Sequence, residues 1–277
     1  MDKENYIYSS ECGGFSYNYM DLTTSPNVPP HLHDSYEIYL FLQGDAVYSV
    51  EGNLYDLSHN DILFTNSREV HSPIFKSDAK YTRALVFLKL NFLSEFITKD
   101  YNPFYGIEQR KLGQQNKIDS KLVEEYGLDE KFRNIDYYSR NSLPQSNLMI
   151  KTNMVQIIAT ISSILSISDK KFQRSNKVQN IIEYINENLF NDISLYKLEN
   201  ELHLNKFHLS HLFKDQTGYS IGQFIARKRV LAAKDLLINN IPVLEIATMV
   251  GFNDYSNFYK TFKNITGVSP KNFTKIL

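Results

Sequence analysis

Cysteine is almost absent from this 277-residue chain, with Cys12 the only one. No internal disulfide can form, and none of the multi-cysteine zinc patterns is possible. A reducing, cytoplasmic compartment is expected of such a chain. Long apolar runs are missing too, so no segment is expected to span a bilayer. The opening residues MDKENYIYSSECGG hold no apolar stretch of the kind a secretory signal needs. No nucleophile–base constellation, Gly-rich phosphate loop or Walker pattern is seen, so an enzyme is not expected. What is present is 42% hydrophobic and 22% charged residues, enough to build buried cores in two domains.

The net charge of −1 conceals a split. Residues 1–169 carry 15 Lys and Arg against 22 Asp and Glu, a net of −7; residues 170–277 carry 15 against 9, a net of +6. Opposite signs in the two halves imply two domains with different partners, and the basic half is the candidate for nucleic acid.

Residues 6–90 read as short strands. SYEIYLFLQG, AVYSVEG, NLYDLS, DILFTN and YTRALVFLKL are rich in aromatic and branched residues and punctuated by turn formers, the pattern of a β-sandwich or small barrel. From about residue 91 the pattern turns helical, in LNFLSEFI, 117–140 and 147–167. In the last, Ile150, Met154, Ile157, Ile161 and Ile164 recur at spacings of four and three. Such a stripe packs on its own domain or on a second copy, and the spacing does not decide between them. SDKKFQRSNK, 168–177, is polar and aperiodic and reads as a linker.

Two short helices follow in ISLYKLENELHLNKFHLSHLFKDQTG. Ser194 is placed to cap the first, with Leu195, Leu198 and Leu202 as its buried face. After a break at His203–Leu204, Asn205 can cap the second, with Leu209, Leu212 and Phe213 inward and Gly218 as its stop. This is a helix-turn-helix, whose second helix enters the major groove. The layout recurs in IPVLEIATMVGFNDYSNFYKTFKNITG. Val243, Ile246 and Ala247 face inward, Gly251 turns the chain, Asp254 caps a helix carrying Phe258 and Phe262, and Gly267 ends it. HLFKDQTGYS aligns with KTFKNITGVS, and Phe213 and Phe262 are 49 residues apart. SIGQFIARKRVLAAKDLLINN between them reads as one helix of roughly 28 Å, able to hold the units about one turn of DNA apart.

Region 175–277 resembles the DNA-binding domain of the AraC/XylS family of transcription regulators. The marks are LSHLFKDQTGYSIGQFIARKRVLAAKDLL and then IATMVGFNDYSNFYKTFKNITGVSPKNF. The resemblance implies two helix-turn-helix units reading adjacent major-groove segments, with RNA polymerase as a further partner. It places base contacts at Phe207, Ser210 and His211 in the first unit and at Tyr255, Ser256, Asn257 and Lys260 in the second. Lys206, Lys214, Arg227, Lys228, Arg229, Lys263 and Lys271 are expected on phosphates or in solvent. Glu199 departs from the family, which usually has Ala there.

PHLHDSYEIYLFLQG reads His31-x-His33-x3-Glu37-x6-Gly44, with Asp61 and His71 further on. This resembles the first motif of cupin barrels and, more loosely, the second. In metal-binding cupins such residues (here His31, His33, Glu37 and His71) converge on one divalent ion, and imidazole with carboxylate suits zinc, iron, manganese or nickel. In the sensor domains of regulators they often line a pocket without metal, and no cofactor is expected. His31, His33 and Glu37 differ by even numbers, so on a regular strand they share a face. The effector pocket is expected from His31, His33, Glu37, Tyr39 and His71, with some of Tyr36, Tyr48 and Tyr55. Aromatic faces with polar groups favour a carbohydrate.

The expected architecture is α+β in two domains. A cupin-like effector-binding and dimerisation barrel with flanking helices spans 1–167. A linker covers 168–176, and an all-α double helix-turn-helix spans 177–277. The expected function is an effector-controlled, sequence-specific activator that forms a homodimer. A cupin metalloenzyme fused to a DNA-binding domain, and an effector-independent regulator using its barrel only to dimerise, are the alternatives.

Overall fold

The structure, a computed structural model, describes residues 5–10, 14–33, 35–167, 177–202, 205–238 and 241–276. The chain divides into two compact units, Met1–Arg174 and Ser175–Leu277. The expected linker 168–176, Cys12 and the break at His203–Leu204 lie outside the described residues.

The first unit contains strands β1 (Tyr6–Ser9), β2 (Phe15–Leu22), β3 (Tyr36–Gln43), β4 (Ala46–Val50), β5 (Asn53–Asp56), β6 (Ile62–Thr65), β7 (His71–Phe75) and β8 (Tyr81–Leu88). A 3₁₀ segment (Leu90–Phe96), α1 (Tyr105–Gln109), β9 (Lys117–Ile118), α2 (Ser120–Glu125), α3 (Leu128–Asn141) and α4 (Ser146–Ile167) follow. An antiparallel sheet runs β1-β2-β8-β3-β6-β9, and a second runs β5-β4-β7.

Strand β3 explains the layering. Ile38 and Leu40 point to one face and join Val86, Phe132, Met154 and Ile157 in a core beneath the helices. Tyr39 and Phe41 point to the other and join Tyr48, Val50 and Leu85 in a second core between the sheets. A strand buried on both faces is largely apolar, which is why YEIYLFL shows so little alternation, with Glu37 its one charge. Each fully buried Ile, Leu or Phe contributes about 1.5–3 kcal/mol here.

The sheets do not close into the expected barrel. Among the described residues, segment 25–35 between β2 and β3 forms no strand and its backbone pairs with β7 through an isolated bridge, His31 to His71. Pro26, Pro29 and Pro30 lie in that segment, and proline lacks the N–H that a closing ladder requires. The expected helix over 117–140 is also divided. Lys117–Ile118 pairs with β6, and Gly127, at φ 62°, separates α2 from α3.

The stripe on α4 belongs to the domain's own core. Ile150, Met154, Ile157 and Ile161 are at most 1% exposed and Ile164 is 7% exposed, all in the core beneath the large sheet. The same packing accounts for Ser146–Ser166, long and apolar enough by composition to cross a membrane yet half buried within the unit. Of the two readings the spacing left open, the stripe is the domain's own packing face and not a dimer face.

The described residues of the second unit form α5 (Lys177–Glu187), α6 (Leu195–Leu202), α7 (Lys206–Thr217), α8 (Ile221–Ile238), α9 (Val243–Met249), α10 (Tyr255–Thr266) and α11 (Pro270–Ile276). Helix α8 has 18 residues, about 27 Å. Phe258, Phe262, Ile246 and Val250 pack with Val230, Ala233 and Leu237 of α8 in one core.

Ile157→Asp will destabilise the first unit by about 4 kcal/mol or more, because the charge gains no partner in that core. Urea unfolding of the full chain measures this. A folded monomer of undiminished stability would return the stripe to an interface.

Candidate nucleic-acid interface and effector pocket

Helices α7 and α10 each begin with a side-chain cap. Asn205 accepts from the Phe207 amide at 2.9 Å, and Asp254 accepts from the Asn257 amide at 2.7 Å. Glu199, where the family usually has Ala, accepts from the Lys206 amide at 3.2 Å and so adds a second acceptor at the start of α7. Ser194 caps α6 by accepting from the Lys197 amide at 3.2 Å. Leu198 is fully buried there, whereas Leu195, expected inward, is 42% exposed.

The repeated Phe-Lys-x2-Thr-Gly-x-Ser segment is a repeated structure. The Thr217 hydroxyl donates to the Phe213 carbonyl at 2.7 Å and accepts from the Tyr219 amide. The Thr266 hydroxyl donates to the Phe262 carbonyl at 2.8 Å and accepts from the Val268 amide. Gly218 and Gly267 follow at φ 73° and 80°, and Ser220 and Ser269 cap the next helices. The same local chemistry thus ends both helices.

With Leu209, Phe213, Phe258 and Phe262 buried, the opposite faces are left to solvent. Phe207 is 75% exposed, too open to serve the core. His211, Tyr255, Ser256, Asn257 and Lys260 are exposed, and Ser210 is half-buried. His211 pairs with Asp215 at 2.8 Å on the α7 surface. Lys206, Lys214, Lys263 and Lys271 are exposed cations flanking these faces. Arg227 is half-buried and lies 4.6 Å from the Tyr219 ring.

Two of the expected phosphate contacts are structural instead. Lys228 is 3% exposed, its ammonium 5.1 Å from the Phe224 ring. Arg229 donates through Nε to the Leu189 carbonyl (2.8 Å), Nη2 to Asn191 (2.7 Å) and Nη1 to Gly251 (2.5 Å). This guanidinium ties the chain after α5 to the turn of the second helix-turn-helix. Gly251 is required there twice over. Its φ is 84°, and a Cβ would lie 2.8 Å from the Phe190 carbonyl oxygen.

In the first unit, His31, His33, Glu37 and His71 converge, with ligand-type atoms all within 4.8 Å of one another. They do not share one strand face. Glu37 lies on β3 and His71 on β7, while His31 and His33 lie in the segment before β3. One Glu37 oxygen faces His33 Nε2 at 3.2 Å and His71 Nε2 at 3.3 Å, and Tyr48 donates to the other. Burial raises the Glu37 carboxyl, but the adjacent His71 and the hydrogen bonds from both imidazoles outweigh it and hold the group well below its usual range. Burial lowers His71, but Glu37 outweighs it and leaves the group raised. His31 is lowered, chiefly by burial.

The tautomers matter. His31 Nδ1 donates to the Pro29 carbonyl at 3.0 Å and His71 Nδ1 to the Glu69 carbonyl at 2.8 Å. Each then turns Nε2 inward, and in a neutral ring that atom carries a lone pair. A lone pair against a carboxylate repels, so a proton or a cation must lie between His71 and Glu37. The donor set and its backbone supports fit a divalent transition ion held by His31, His33, Glu37 and His71.

A cavity of about 190 Å³ opens beside this cluster, between the sheets. His31, Glu37, Tyr39 and Tyr48 line it; His33 and His71 stand behind them, and Tyr36 and Tyr55 do not line it. The Tyr36 hydroxyl donates to Glu108, and that of Tyr55 donates to the Gly113 carbonyl. Sequence reasoning missed Arg83, which also lines the cavity, and the buried ion pair of Arg110 with Glu69 at 2.5 Å, whose residue 69 carbonyl orients His71. A larger depression of about 610 Å³ beside α4, lined by Tyr101, Tyr105, Ser162 and Ser166, is open to solvent and lacks such a convergence.

Residues 198–276 match the helix-turn-helix domain profile, and residues 23–90 match that of the AraC-like ligand binding domain. MarA of Escherichia coli, a multiple antibiotic resistance protein, is 35% identical over 97 residues, covering 35% of this chain and 76% of MarA. The transcriptional activator AarP of Providencia stuartii is 34% identical over 108 residues, covering 38% of this chain and 80% of AarP. The Msm operon regulatory protein of Streptococcus mutans is 24% identical over 251 residues, covering 89% of this chain and 86% of that protein. The chain belongs to the AraC/XylS family of helix-turn-helix transcription regulators. It is a DNA-binding regulator rather than an enzyme.

Gly251→Ala will destabilise the second unit by more than about 1 kcal/mol, because the left-handed turn and the Phe190 carbonyl both oppose a Cβ. Circular dichroism melting measures this. An unchanged melt would show that the turn relaxes freely.

Proposed function

We propose that this regulator reads DNA through the exposed faces of α7 and α10 and is switched by a small polar effector in the cavity between its two sheets. The observation that carries the reading is the convergence of His31, His33, Glu37 and His71, with Glu37 and His71 buried and His31 and Glu37 lining that cavity. A buried carboxylate and imidazole are costly in an interior unless a ligand or water meets them.

Phe207, Ser210, His211, Tyr255, Ser256, Asn257 and Lys260 are the proposed base contacts. Asn and Lys suit base edges, and the aromatic rings suit thymine methyl groups. Lys206, Lys214, Arg227, Lys263 and Lys271 are the proposed phosphate contacts. The proposed effector contacts are His31, His33, Glu37, Tyr39 and His71, and a carbohydrate is the favoured class. A bound divalent ion would supply a Lewis-acidic position for a ligand oxygen there. The proposed organisation keeps effector binding and dimerisation in 1–167 and DNA binding in 177–277. Dimerisation would use a surface other than the buried α4 stripe. Activation through RNA polymerase is the proposed output, in line with the name of AarP. The effector must bind the two conformations of the regulator unequally, since equal affinity shifts nothing.

A gel-shift assay of the full chain on promoter fragments tests the DNA half. Asn257→Ala and His211→Ala should each cost about 1–3 kcal/mol on preferred sites and relax the sequence preference, while Lys214→Ala weakens all sequences alike. Equal affinity of the wild type for every fragment would contradict the reading. A thermal-shift screen tests the sensor half. His33→Ala should abolish stabilisation by a hit and its effect on the gel shift. A hit that binds His33→Ala, Glu37→Ala and His71→Ala as well as wild type would move the sensor elsewhere.

A further inference from the structure

The cavity between the sheets has two polar ends. Along β3 and β8, Glu37 pairs with Phe87, Tyr39 with Leu85 and Phe41 with Arg83. The Glu37 and Arg83 rows are thus four residues apart, about 13 Å along the strands. His31 and Glu37 of the imidazole and carboxylate cluster line one end. Tyr39, Tyr81 and Arg83 occupy the other, with Met20, Val28 and Leu85 among the apolar walls.

Arg83 has no acidic partner there. It lies 3.2 Å from the Met20 sulfur and 3.4 Å from the Asn18 carbonyl oxygen, and it forms no ion pair among the described residues. Glu37 cannot serve it, because one carboxylate oxygen accepts from Tyr48 and the other faces His33 and His71. The nearby Asp21 is paired with Lys80 at 3.0 Å. A guanidinium in a cavity wall that meets a sulfur, a carbonyl at long range and the Tyr81 hydroxyl, but no carboxylate, retains strong donors for an incoming group.

A second donor stands beside it. The Tyr39 and Tyr81 hydroxyls are 2.8 Å apart, both on buried side chains. Two hydroxyls in one hydrogen bond use only one of their two protons. The other proton is available to an acceptor in the cavity. Tyr81 and Arg83 are two residues apart on β8, so they project to the same face. Arg83 and this hydroxyl pair therefore form a cradle for a planar anion.

We infer that the effector is a small organic carboxylate whose acid group pairs with Arg83 and the Tyr39–Tyr81 hydroxyl pair, while its far end reaches the His31, His33, Glu37 and His71 cluster. This rests on the reading of the cavity as the sensor and narrows its ligand class. A sugar acid and a short aliphatic acid share the required chemistry. The volume of about 190 Å³ lies below the usual range for drug-sized ligands and limits either to a small molecule.

Calorimetry of the full chain against matched probes separates these cases. Glucuronate is compared with glucuronamide and glucose, and hexanoate with hexanamide. In the wild type one acid should bind at least about 30-fold more tightly than its amide, and Arg83→Gln should erase that difference. Arg83→Lys keeps the charge without the planar fork and should retain part of the preference. It also serves as the folded control should Arg83→Gln unfold. Preference for glucuronate assigns a sugar acid, and preference for hexanoate an aliphatic one. Equal binding of acids and amides, an acid preference that survives in Arg83→Gln, or no binding by any probe overturns the inference. Glucose binding that is lost in His33→Ala and kept in Arg83→Gln would overturn the acid while sparing the sensor. Arg83-dependent acid binding that leaves the gel shift unchanged would spare the acid site while removing its regulatory role.

Discussion

A carboxylate held between two packed sheets sets the terms for the N-terminal unit. Strand β3 is buried on both faces, so Glu37, at 3% exposure, cannot turn to bulk water. Enclosing that charge costs several kcal/mol unless partners converge on it. Tyr48 comes from β4, His71 from β7 and His33 from the segment preceding β3. The packing of the small sheet and the neutralisation of Glu37 are therefore one event. A ligand that alters the cluster necessarily acts on the sheet that supplies two of its members. An effector bound at this cluster would thereby gain a physical lever without any contact to DNA.

The C-terminal unit solves a different problem by repetition. Each recognition helix must be short, stopped cleanly and presented with one face bare. An Asn or Asp cap begins it, buried phenylalanines anchor it, and a Thr-Gly pair ends it. Arg229 then fixes the turn of the second unit through three carbonyls, a role that a surface cation could not fill.

Local chemistry was legible in the sequence and long-range choices were not. Caps, stops and the repeat depend on neighbours within a few residues, so Asn205, Asp254, Gly218 and Gly267 could be read directly. The α4 stripe could not be resolved, because an apolar helix face looks the same whether a sheet or a second chain covers it. Arg229 stands beside Arg227 in one basic run, and only the fold separates a clamp from a surface charge. The cluster of His31, His33, Glu37 and His71 was visible as a pattern, but its convergence comes from the His31–His71 bridge rather than from one strand. Strand β7 escaped notice because it is short and carries Pro73. Arg83 looked like an ordinary polar position in a strand that is otherwise apolar.

The account rests most heavily on two recognition helices of the same make in one unit, α7 and α10, reading one stretch of duplex. Hydroxyl-radical footprinting of the full chain on a bound promoter fragment tests this directly. It should reveal two protected tracts on one face of the DNA, about 10 base pairs apart, one helical turn. A single protected tract, or two tracts on opposite faces, would contradict the account.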